Sequence, residues 1–311
     1  MQVKALSWNL FHGRDFPPDP ALFTWRSRLL RVTERNATHV QVNRDLFAEF
    51  ASVLADAEWD VALLQECPPR WWRPLAATCE AEAHGALTSR NSLGPLRALA
   101  ARLNPDLIAS AEGGSNLTLV RGSFRCAFHT SEVGKAHRNR EATVERREAT
   151  IHEGPPERRT MALTRIGGPG GAGLPGRTAG GGGLCVANLH ATADRPELAA
   201  EDVLRAAEAA TEWAGDAPLI FGGDLNLRPA SEPAVFDELR ERFGLAAPTA
   251  PDAIDHLLVR GLDVVEPARL WPAERREVRG GSGRPVGDGR ALRLSDHAPV
   301  EARFATGSPQ G

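Results

Sequence analysis

The stretch Gly222-Gly223-Asp224-Leu225-Asn226 decides how the rest of the chain is interpreted. It follows Ala217-Pro218-Leu219-Ile220-Phe221, a short apolar run typical of a buried strand. The two glycines allow a sharp turn, and residues i and i+2 of an extended segment project to the same face. A carboxylate and a carboxamide then emerge side by side, which suits the alignment of a water beside a phosphate. Asp and Asn after Gly-Gly are also common turn formers, so other motifs must decide.

The composition is that of an ordinary globular chain. Its 311 residues are 42% apolar and 25% charged, with a formal net charge of −3. This length permits one large domain or two small ones, and the near-neutral charge does not demand nucleic acid as a partner. Four cysteines without C-x-x-C spacing indicate a reduced protein. Because signal-peptide and membrane-spanning patterns are missing from the sequence, we expect a cytoplasmic protein without a membrane partner.

Polar side chains recur at the ends of the strands that the sequence predicts. The run Val61-Ala62-Leu63-Leu64 indicates a strand buried on both faces, yet it finishes in Gln65 and Glu66. A carboxylate at the tip of a buried strand is costly unless it meets a cation or hydrogen-bond donors. The polar residues at or beside such ends are Asn9, Glu66, His190, Asp224, Asn226, Asp255, Asp296 and His297. Each alone could be a turn residue or a core histidine, but their ordered recurrence favours a functional site.

Helical periodicity and low-complexity sequence complete the pattern. Apolar residues at helical spacing predict a helix over about residues 43–58, with Asn43 as the expected N-cap, and a long amphipathic helix over 194–214. A short strand is predicted over 123–127. The segment 167–183 is almost entirely Gly, Pro and Ala, and such a segment cannot bury enough apolar surface to order itself. We therefore predict a mobile hairpin loop there.

Taken together, the motifs resemble those of the endonuclease/exonuclease/phosphatase family, which has the deoxyribonuclease-I-like fold. They occur in the family's order and cover residues 3 to about 304. The matching motifs are Trp8-Asn9, Leu64-Gln65-Glu66, Asn188-Leu189-His190, Gly223-Asp224-Leu225-Asn226, Ile254-Asp255-His256 and Ser295-Asp296-His297. The resemblance implies an α/β (α+β) fold, a four-layer α-β-β-α sandwich of two mostly antiparallel sheets flanked by helices. We expect one such domain over residues 1–305 and a disordered tail over 306–311.

The resemblance also implies a metal site. Glu66 is expected to be the principal ligand of a divalent cation, with Asn9 and Asp296 as its neighbours in that site. The cation is expected to be Mg²⁺ or Mn²⁺, since hard oxygen ligands and retained waters suit these ions.

The remaining strand-end residues are expected, by the same resemblance, to act on the phosphate. Asp224 would orient and activate the attacking water, and Asn226 would fix the phosphate or that carboxylate. His297 would lie against a non-bridging phosphate oxygen, held by Asp255 in an Asp–His pair that sets its tautomer or charge. His190 would stabilise the pentavalent transition state or help protonate the leaving oxygen.

Three features depart from the family pattern or match it loosely. Residues 14–42 look like an insertion between the first two motifs. His12, in the pair His12-Gly13, either reaches the site or hydrogen-bonds its own loop. Arg159 opens a predicted strand where family members often carry a phosphate-contacting arginine, so it is a further candidate for substrate binding.

The expected function is hydrolysis of a phosphate ester, but the substrate stays open. The Asp224 motif lacks the tyrosine that follows it in inositol-polyphosphate phosphatases and the alanine-histidine that tends to follow it in abasic-site endonucleases. A metal-dependent nuclease or other phosphodiesterase is the main expectation. The alternatives are a phosphatase acting on a sugar, inositol or nucleotide phosphate, and a non-catalytic binding module on the same fold. The sequence does not indicate an oligomeric state.

Overall fold

Two large β-sheets form the centre of the fold. The computed structural model describes residues 2–88, 94–112, 114–124, 143–152, 158–167, 183–279 and 289–306. In chain order, strands β1 to β15 are Gln2–Asn9, Glu34–Arg35, Val40–Gln41, Val61–Gln65, Ala81–Leu87, Ser115–Arg121, Thr143–His152, Arg159–Gly167, Gly183–His190, Leu219–Asp224, Asp255–Arg260, Leu262–Leu270, Glu277–Val278, Leu292–Arg293 and Val300–Thr306. The main α-helices are Trp25–Leu30, Phe47–Asp56, Trp72–Thr78, Gly94–Leu103, Pro105–Glu112, Pro196–Ala214 and Pro233–Phe243.

The strand order confirms the predicted sheet type. One sheet has six strands in the order β12-β15-β1-β4-β6-β5, and the other has five in the order β11-β10-β9-β8-β7. Neighbouring strands in these sheets run antiparallel except for two pairs, β1 with β4 and β9 with β10. In each parallel pair the two strands end at the same edge of their sheet.

Three apolar cores separate four layers. The core between the sheets contains Ile220 and Phe304. On the outer face of the six-stranded sheet, Phe50 of a helix packs on Trp8 of β1, with ring centroids 5.0 Å apart. On the outer face of the five-stranded sheet, helical Val203 belongs to the same core as Phe221 of β10. The predicted four-layer α-β-β-α sandwich is therefore confirmed.

The helix Pro196–Ala214 shows why the sequence forms the outer layer. Proline at its first turn costs no hydrogen bond, because the first N–H groups of a helix have no partner within it. Small apolar side chains recur on the face that packs on the five-stranded sheet. They are Ala199, Val203, Ala206, Ala207, Ala210 and Ala214. Gly215 follows with φ of 59°, which ends the helix.

Two local predictions were wrong. The second helix begins at Phe47 after Leu46, so Asn43 does not cap it. The buried Asn43 amide instead donates to Asn104 Oδ1 at 2.6 Å and to the Ser27 carbonyl at 3.1 Å. Tertiary partners therefore outcompete the local cap. Residues 122–124 are helical where a strand was predicted, and residues 125–127 lie outside the described residues.

Gly222 and Gly223 have a different role from the one the sequence suggested. They do not turn the chain, because β10 continues through them to Asp224. A Cβ atom at Gly223 would overlap the carbonyl oxygen of Leu189 on β9 and lie 3.1 Å from Gln65 Nε2 of the other sheet. Gly223 also has φ of 127°, a conformation that other residues rarely adopt. Both glycines therefore permit close packing against neighbouring strands of the same sheet, and Gly223 also permits the close approach of Gln65 from the other sheet.

A buried amide pair joins the sheets just below their polar ends. Gln65 Nε2 donates to Asn188 Oδ1 at 2.8 Å, from β4 to β9. Asn188 Nδ2 in turn donates to the carbonyls of Leu64 and Leu117, at 3.3 and 3.1 Å. All of these groups are buried, so breaking the pair would leave polar atoms without water or a partner.

The remaining expectations concern the periphery. The insertion over 14–42 contains the helix Trp25–Leu30 and the two-stranded β2–β3 ladder. Residues 168–182 lie outside the described residues, and so do residues 307–311; β15 itself reaches Thr306. The predicted mobile loop and disordered tail stay predictions, as does the single domain. No helix in the described part of the chain has the length and apolar character needed to cross a bilayer.

We predict that Gly223→Ala destabilises the protein far more than Gly215→Ala. Both glycines have positive φ, but no atom lies within 4 Å of a Cβ built at Gly215. Gly215→Ala should cost about 1 to 3 kcal/mol from backbone strain alone, because its φ of 59° and ψ of −126° lie in a sparsely populated region. Gly223→Ala adds to backbone strain a steric clash between strands, which should cost about 3 kcal/mol more. Urea unfolding of both variants checks this, and equal costs would show that the close approach is not limiting.

Candidate active site

The predicted site residues of the five-stranded sheet lie side by side. His190 ends β9, Asp224 ends β10 and Asp255 begins β11. In the ladder, Asp224 pairs with His190 on one side and with Asp255 on the other. The strand register alone therefore places three of these functional groups next to one another.

The six-stranded sheet supplies the opposite side of the site. Asn9 pairs with Gln65 in the β1–β4 ladder, and Glu66 follows directly with φ of 48°. Ser295, with φ of 58°, precedes Asp296 and His297 in the loop before β15, which pairs with β1. Ser295 Oγ donates to the Asn9 carbonyl at 2.6 Å and accepts from the His297 N–H at 3.0 Å. These bonds hold the loop against the end of β1.

Asp224 lies at the centre of the arrangement. Its side chain is almost fully buried, and Asn9 Nδ2 donates to its Oδ2 at 2.9 Å. The same Oδ2 atom lies 3.5 Å from His190 Nε2 and 3.8 Å from His297 Nε2. Burial raises the pKa of Asp224 to about 7, and the neighbouring charge of Asp255 adds to the increase. The carboxylate can therefore exchange a proton near neutral pH.

His297 and Asp255 form the predicted Asp–His pair. His297 Nδ1 lies 2.7 Å from Asp255 Oδ2, which leaves Nε2 facing Asp224. Burial acts to lower the pKa of His297, but the charge of Asp255 and its hydrogen bond outweigh burial and raise the pKa to about 10. His297 is therefore a cation at neutral pH. Trp8 Nε1 donates to its carbonyl at 3.0 Å and so fixes the main chain.

Glu66 faces two histidines. Its Oε2 lies 3.2 Å from His12 Nε2, and its Oε1 lies 3.8 Å from His190 Nε2. Burial acts to raise the pKa of Glu66, but the neighbouring histidines, His12 foremost, outweigh it and lower the pKa. Burial lowers the pKa of His190 to about 3, so His190 is neutral. Two imidazoles in one site, His190 and His297, thus differ in charge.

His12 reaches the site through a left-handed turn. Phe11, His12 and Gly13 all have positive φ, of 50°, 53° and 77°. Such a conformation is strained for residues other than glycine, and strain of this kind tends to persist at functional sites. Of the two alternatives for His12, the structure favours the one in which its imidazole contacts the site carboxylate Glu66.

Two other predicted residues hold positions that the sequence did not specify. Arg159 is buried at the start of β8, close enough that its charge contributes to the lowered pKa of His190. Asn226 has φ of 52°, so it does not share an extended face with Asp224, and that argument was wrong. Its backbone N–H donates to Asp224 Oδ1 at 3.1 Å, and its side chain donates to the Ala191 carbonyl at 3.1 Å. Asn226 therefore orients the Asp224 carboxylate.

The oxygen-rich side of the site fits a hard divalent cation. Burial raises the pKa of Asp296, and the negative charge of Glu66 adds to it, so the two carboxylates repel each other. Asn9 lies beside them, although its Oδ1 already accepts from the Phe11 N–H at 2.9 Å. Carboxylate and amide oxygens are the donors that Mg²⁺ and Mn²⁺ prefer.

A second group of side chains could also hold a metal. One ligand atom each from Asp224, Asp255 and His297 lies within 4.8 Å of the others. This group fits a metal less well, because Asp255 and His297 already share a hydrogen bond of 2.7 Å. We therefore treat Asp255–His297 as an Asp–His pair and keep Glu66, Asp296 and Asn9 as the candidate ligands.

Sequence reasoning assigned no role to several residues that build the site. Gln65 and Asn188 were visible in the motifs, but only the structure shows that they join the sheets. Ser295 was visible in the same way, and its hydroxyl bonds hold the His297 loop. No sequence feature pointed to Arg14 except its position directly after His12-Gly13.

Comparison with known proteins agrees with this geometry. The family model described as "Endonuclease/Exonuclease/phosphatase family" matches residues 6–297. The chain therefore belongs to the endonuclease/exonuclease/phosphatase family, whose members hydrolyse phosphate esters and typically use a divalent metal. None of the curated protein sequences compared with the chain matches it.

Solved structures share the fold at low sequence identity. An endonuclease/exonuclease/phosphatase family protein from Bacteroides thetaiotaomicron is 14% identical, with a TM-score of 0.60 over 99% of this chain and 98% of that one. A mannosyl-6-phosphatase from the same bacterium is 14% identical, with a TM-score of 0.57 over 97% and 99%. The human Nocturnin catalytic domain with bound sulfate is 11% identical, with a TM-score of 0.56 over 98% and 94%. At these identities the likeness shows the fold alone.

We predict that Asp255 and His297 act as one unit. Asp255→Ala and His297→Ala should each lower kcat by about 10²-fold or more, because either loss leaves the imidazole misoriented or removes it. The double variant should cost little more than one single variant, since groups acting together are non-additive. The measurement is kcat for all four proteins, with circular dichroism to show that they are folded. Losses that add in free energy would mean that the two residues are independent.

Proposed function

We propose that this chain is a divalent-metal-dependent phosphoesterase that hydrolyses phosphodiesters by in-line attack of an activated water, as a nuclease does. The observation that carries the proposal is the position of Asp224. It is a buried carboxylate held by Asn9, with one neutral and one cationic imidazole within 4 Å of it. Such a set can take a proton from water on one side and stabilise phosphoryl charge on the other.

Asp224 is the proposed proton acceptor. Asn9 Nδ2 and the Asn226 N–H each bind a different oxygen of its carboxylate, so its orientation is restrained before substrate arrives. A general base works best when its pKa lies near the working pH, and the raised pKa of Asp224, about 7, meets that condition.

The two histidines have different proposed roles because their charges differ. His297 is a cation held by Asp255, and it would stabilise negative charge on a non-bridging phosphate oxygen. His190 is neutral because burial lowers its pKa to about 3. Of its two expected roles, this favours hydrogen-bond donation to the transition state over proton transfer to the leaving oxygen.

The candidate metal ligands are Glu66, Asp296 and Asn9. A bound Mg²⁺ or Mn²⁺ would polarise a phosphoryl oxygen and neutralise charge that develops there. Glu66 would serve as the principal ligand because it is the buried carboxylate at the tip of β4. His12 and Arg159 are proposed to contact the substrate, since one touches Glu66 and the other lies near His190.

A small-molecule phosphatase is the second candidate. A structure with the same fold is named a mannosyl-6-phosphatase, and the net charge of −3 does not favour tight binding to a nucleic acid. A non-catalytic binding module is the third candidate. It is disfavoured because binding alone does not require Glu66, Asp224 and Asp296 to remain together. A cytoplasmic location remains a prediction, which cell fractionation would check.

Hydrolysis of two chromogenic esters separates these functions. With Mg²⁺ or Mn²⁺ present, we expect turnover of bis(4-nitrophenyl) phosphate to exceed that of 4-nitrophenyl phosphate, and Asp224→Asn to abolish it. Turnover of the monoester alone would favour a phosphatase, and turnover of neither would favour a binding module. Single- and double-stranded DNA, RNA and sugar phosphates then define the substrate.

We predict that Glu66→Gln weakens Mn²⁺ binding and lowers kcat by at least about 10²-fold, because the charge that holds the cation is lost while the shape is kept. Isothermal calorimetry gives the affinity, and the release of 4-nitrophenol gives kcat. Glu58→Gln is the matched control, since Glu58 is 84% exposed and far from the site. Unchanged Mn²⁺ affinity in Glu66→Gln would overturn the ligand assignment.

A further inference from the structure

Arg14 is held between two loops of the site by its main chain. Its N–H donates to the Phe11 carbonyl at 3.1 Å, which closes the left-handed turn that carries His12. Its carbonyl accepts from the Ser295 N–H at 3.0 Å, one residue before Asp296. The side chain therefore starts from a backbone fixed to both the His12 loop and the Asp296 loop.

The guanidinium group of Arg14 is also fixed in orientation. It stacks over the Phe11 ring, with Cζ 3.7 Å from the ring centroid. Its Nε donates to the Phe11 carbonyl at 3.3 Å. Its two terminal amino groups make no hydrogen bond or ion pair with any residue in the described part of the chain. The two terminal amino groups are thus left as a planar pair of donors on a guanidinium whose plane is set by Phe11.

The charges around Arg14 place it on one side of the site. Burial lowers its pKa, whereas the carboxylates of Asp106, Glu66, Asp296 and Asp15 act in the opposite direction. An arginine keeps its positive charge in such surroundings. Glu66 and Asp296 form the metal side of the site, while Asp224 lies against His190 and His297 on the other. Arg14 is therefore close to the Glu66 and Asp296 carboxylates, and its main chain is bonded to Ser295, the residue before Asp296.

We propose that Arg14 binds a second phosphate group of the substrate, next to the one that is hydrolysed. The inference rests on the proposed function and narrows its substrate class to phosphate esters that carry two phosphate groups. A guanidinium offers two parallel N–H donors that match two phosphate oxygens, and stacking on Phe11 restricts the plane in which they lie. The reacting phosphate already has His297, His190 and the metal ligands around it, so the free donors suit a neighbouring group.

The second phosphate could come from a small bisphosphate or from the next linkage of a polynucleotide. Three substrates with one reacting group distinguish these sources. The first is thymidine 5′-(4-nitrophenyl phosphate). The second is the same compound with a phosphate on its 3′ oxygen, and the third is the same compound joined by a 3′ phosphodiester to a second nucleoside. We expect the wild-type protein to prefer one or both of the last two by kcat/KM. A preference for the 3′-phosphate indicates a terminal phosphate, and a preference for the dinucleotide indicates a polynucleotide.

Arg14→Gln should reduce that preference by about tenfold or more, the range expected for losing charged hydrogen bonds. Arg14→Lys keeps the charge but not the paired donors, so its preference should lie between that of the wild type and that of Arg14→Gln. Arg26→Gln is the matched control because Arg26 is exposed on the helix Trp25–Leu30. It makes the same charge change and should leave the preference as in wild type. Melting curves show whether each variant is folded.

An equal loss on all three substrates would overturn the proposal, because Arg14 would then serve the reacting phosphate or only the fold. A wild-type protein with no preference would overturn it too. If none of the esters is hydrolysed, the proposed function fails and calorimetry decides the inference separately. Thymidine 3′,5′-bisphosphate should then bind more tightly than thymidine 5′-phosphate in the wild type but not in Arg14→Gln. Equal binding of the two ligands by the wild type would reject the inference.

Discussion

The close contact of two sheets at their polar ends is the constraint on which the site depends. The Gln65–Asn188 hydrogen bond, at 2.8 Å, joins β4 to β9 in surroundings without solvent. Gly223 permits the approach, because a Cβ atom there would lie 3.1 Å from Gln65 Nε2 of the other sheet. Opposite each other above this contact lie Glu66 of one sheet and Asp224 of the other. Loss of the contact would separate Glu66 from Asp224, and with them the two sides of the candidate site.

Burial at this junction sets the charges of the site. Asp224 and His190 are cross-strand neighbours that are both buried, so the pKa of the carboxyl rises and that of the imidazole falls. The pKa of His297 is raised in spite of burial, because Asp255 pairs with its imidazole. The site therefore contains a carboxyl of raised pKa, a neutral imidazole and a cationic imidazole at one pH. Different environments, and not different residue types alone, produce these three protonation states.

Strained backbone supplies the rest of the geometry. Glu66, Ser295, His12 and Asn226 all have positive φ, each at a cost of about 1 to 3 kcal/mol. Hydrogen bonds offset part of that cost, such as those from Ser295 Oγ to the Asn9 carbonyl and from the Asn226 N–H to Asp224. The left-handed backbone at His12 and Glu66 brings these two side chains into contact, with His12 Nε2 3.2 Å from Glu66 Oε2.

The sequence by itself determined the family, because apolar strands that end in polar residues form an ordered set of motifs. The layer order and the candidate site residues then followed from the resemblance to that family. It misjudged Asn43, Gly222-Gly223 and the direction of Asn226, since in each case a distant partner overrides the local preference. Only the tertiary structure decided that Gln65 binds Asn188, that His190 is neutral while His297 is charged, and that Arg14 stacks on Phe11. Those facts depend on contacts between residues far apart in the chain and on burial, and neither quantity is encoded by any short stretch of sequence.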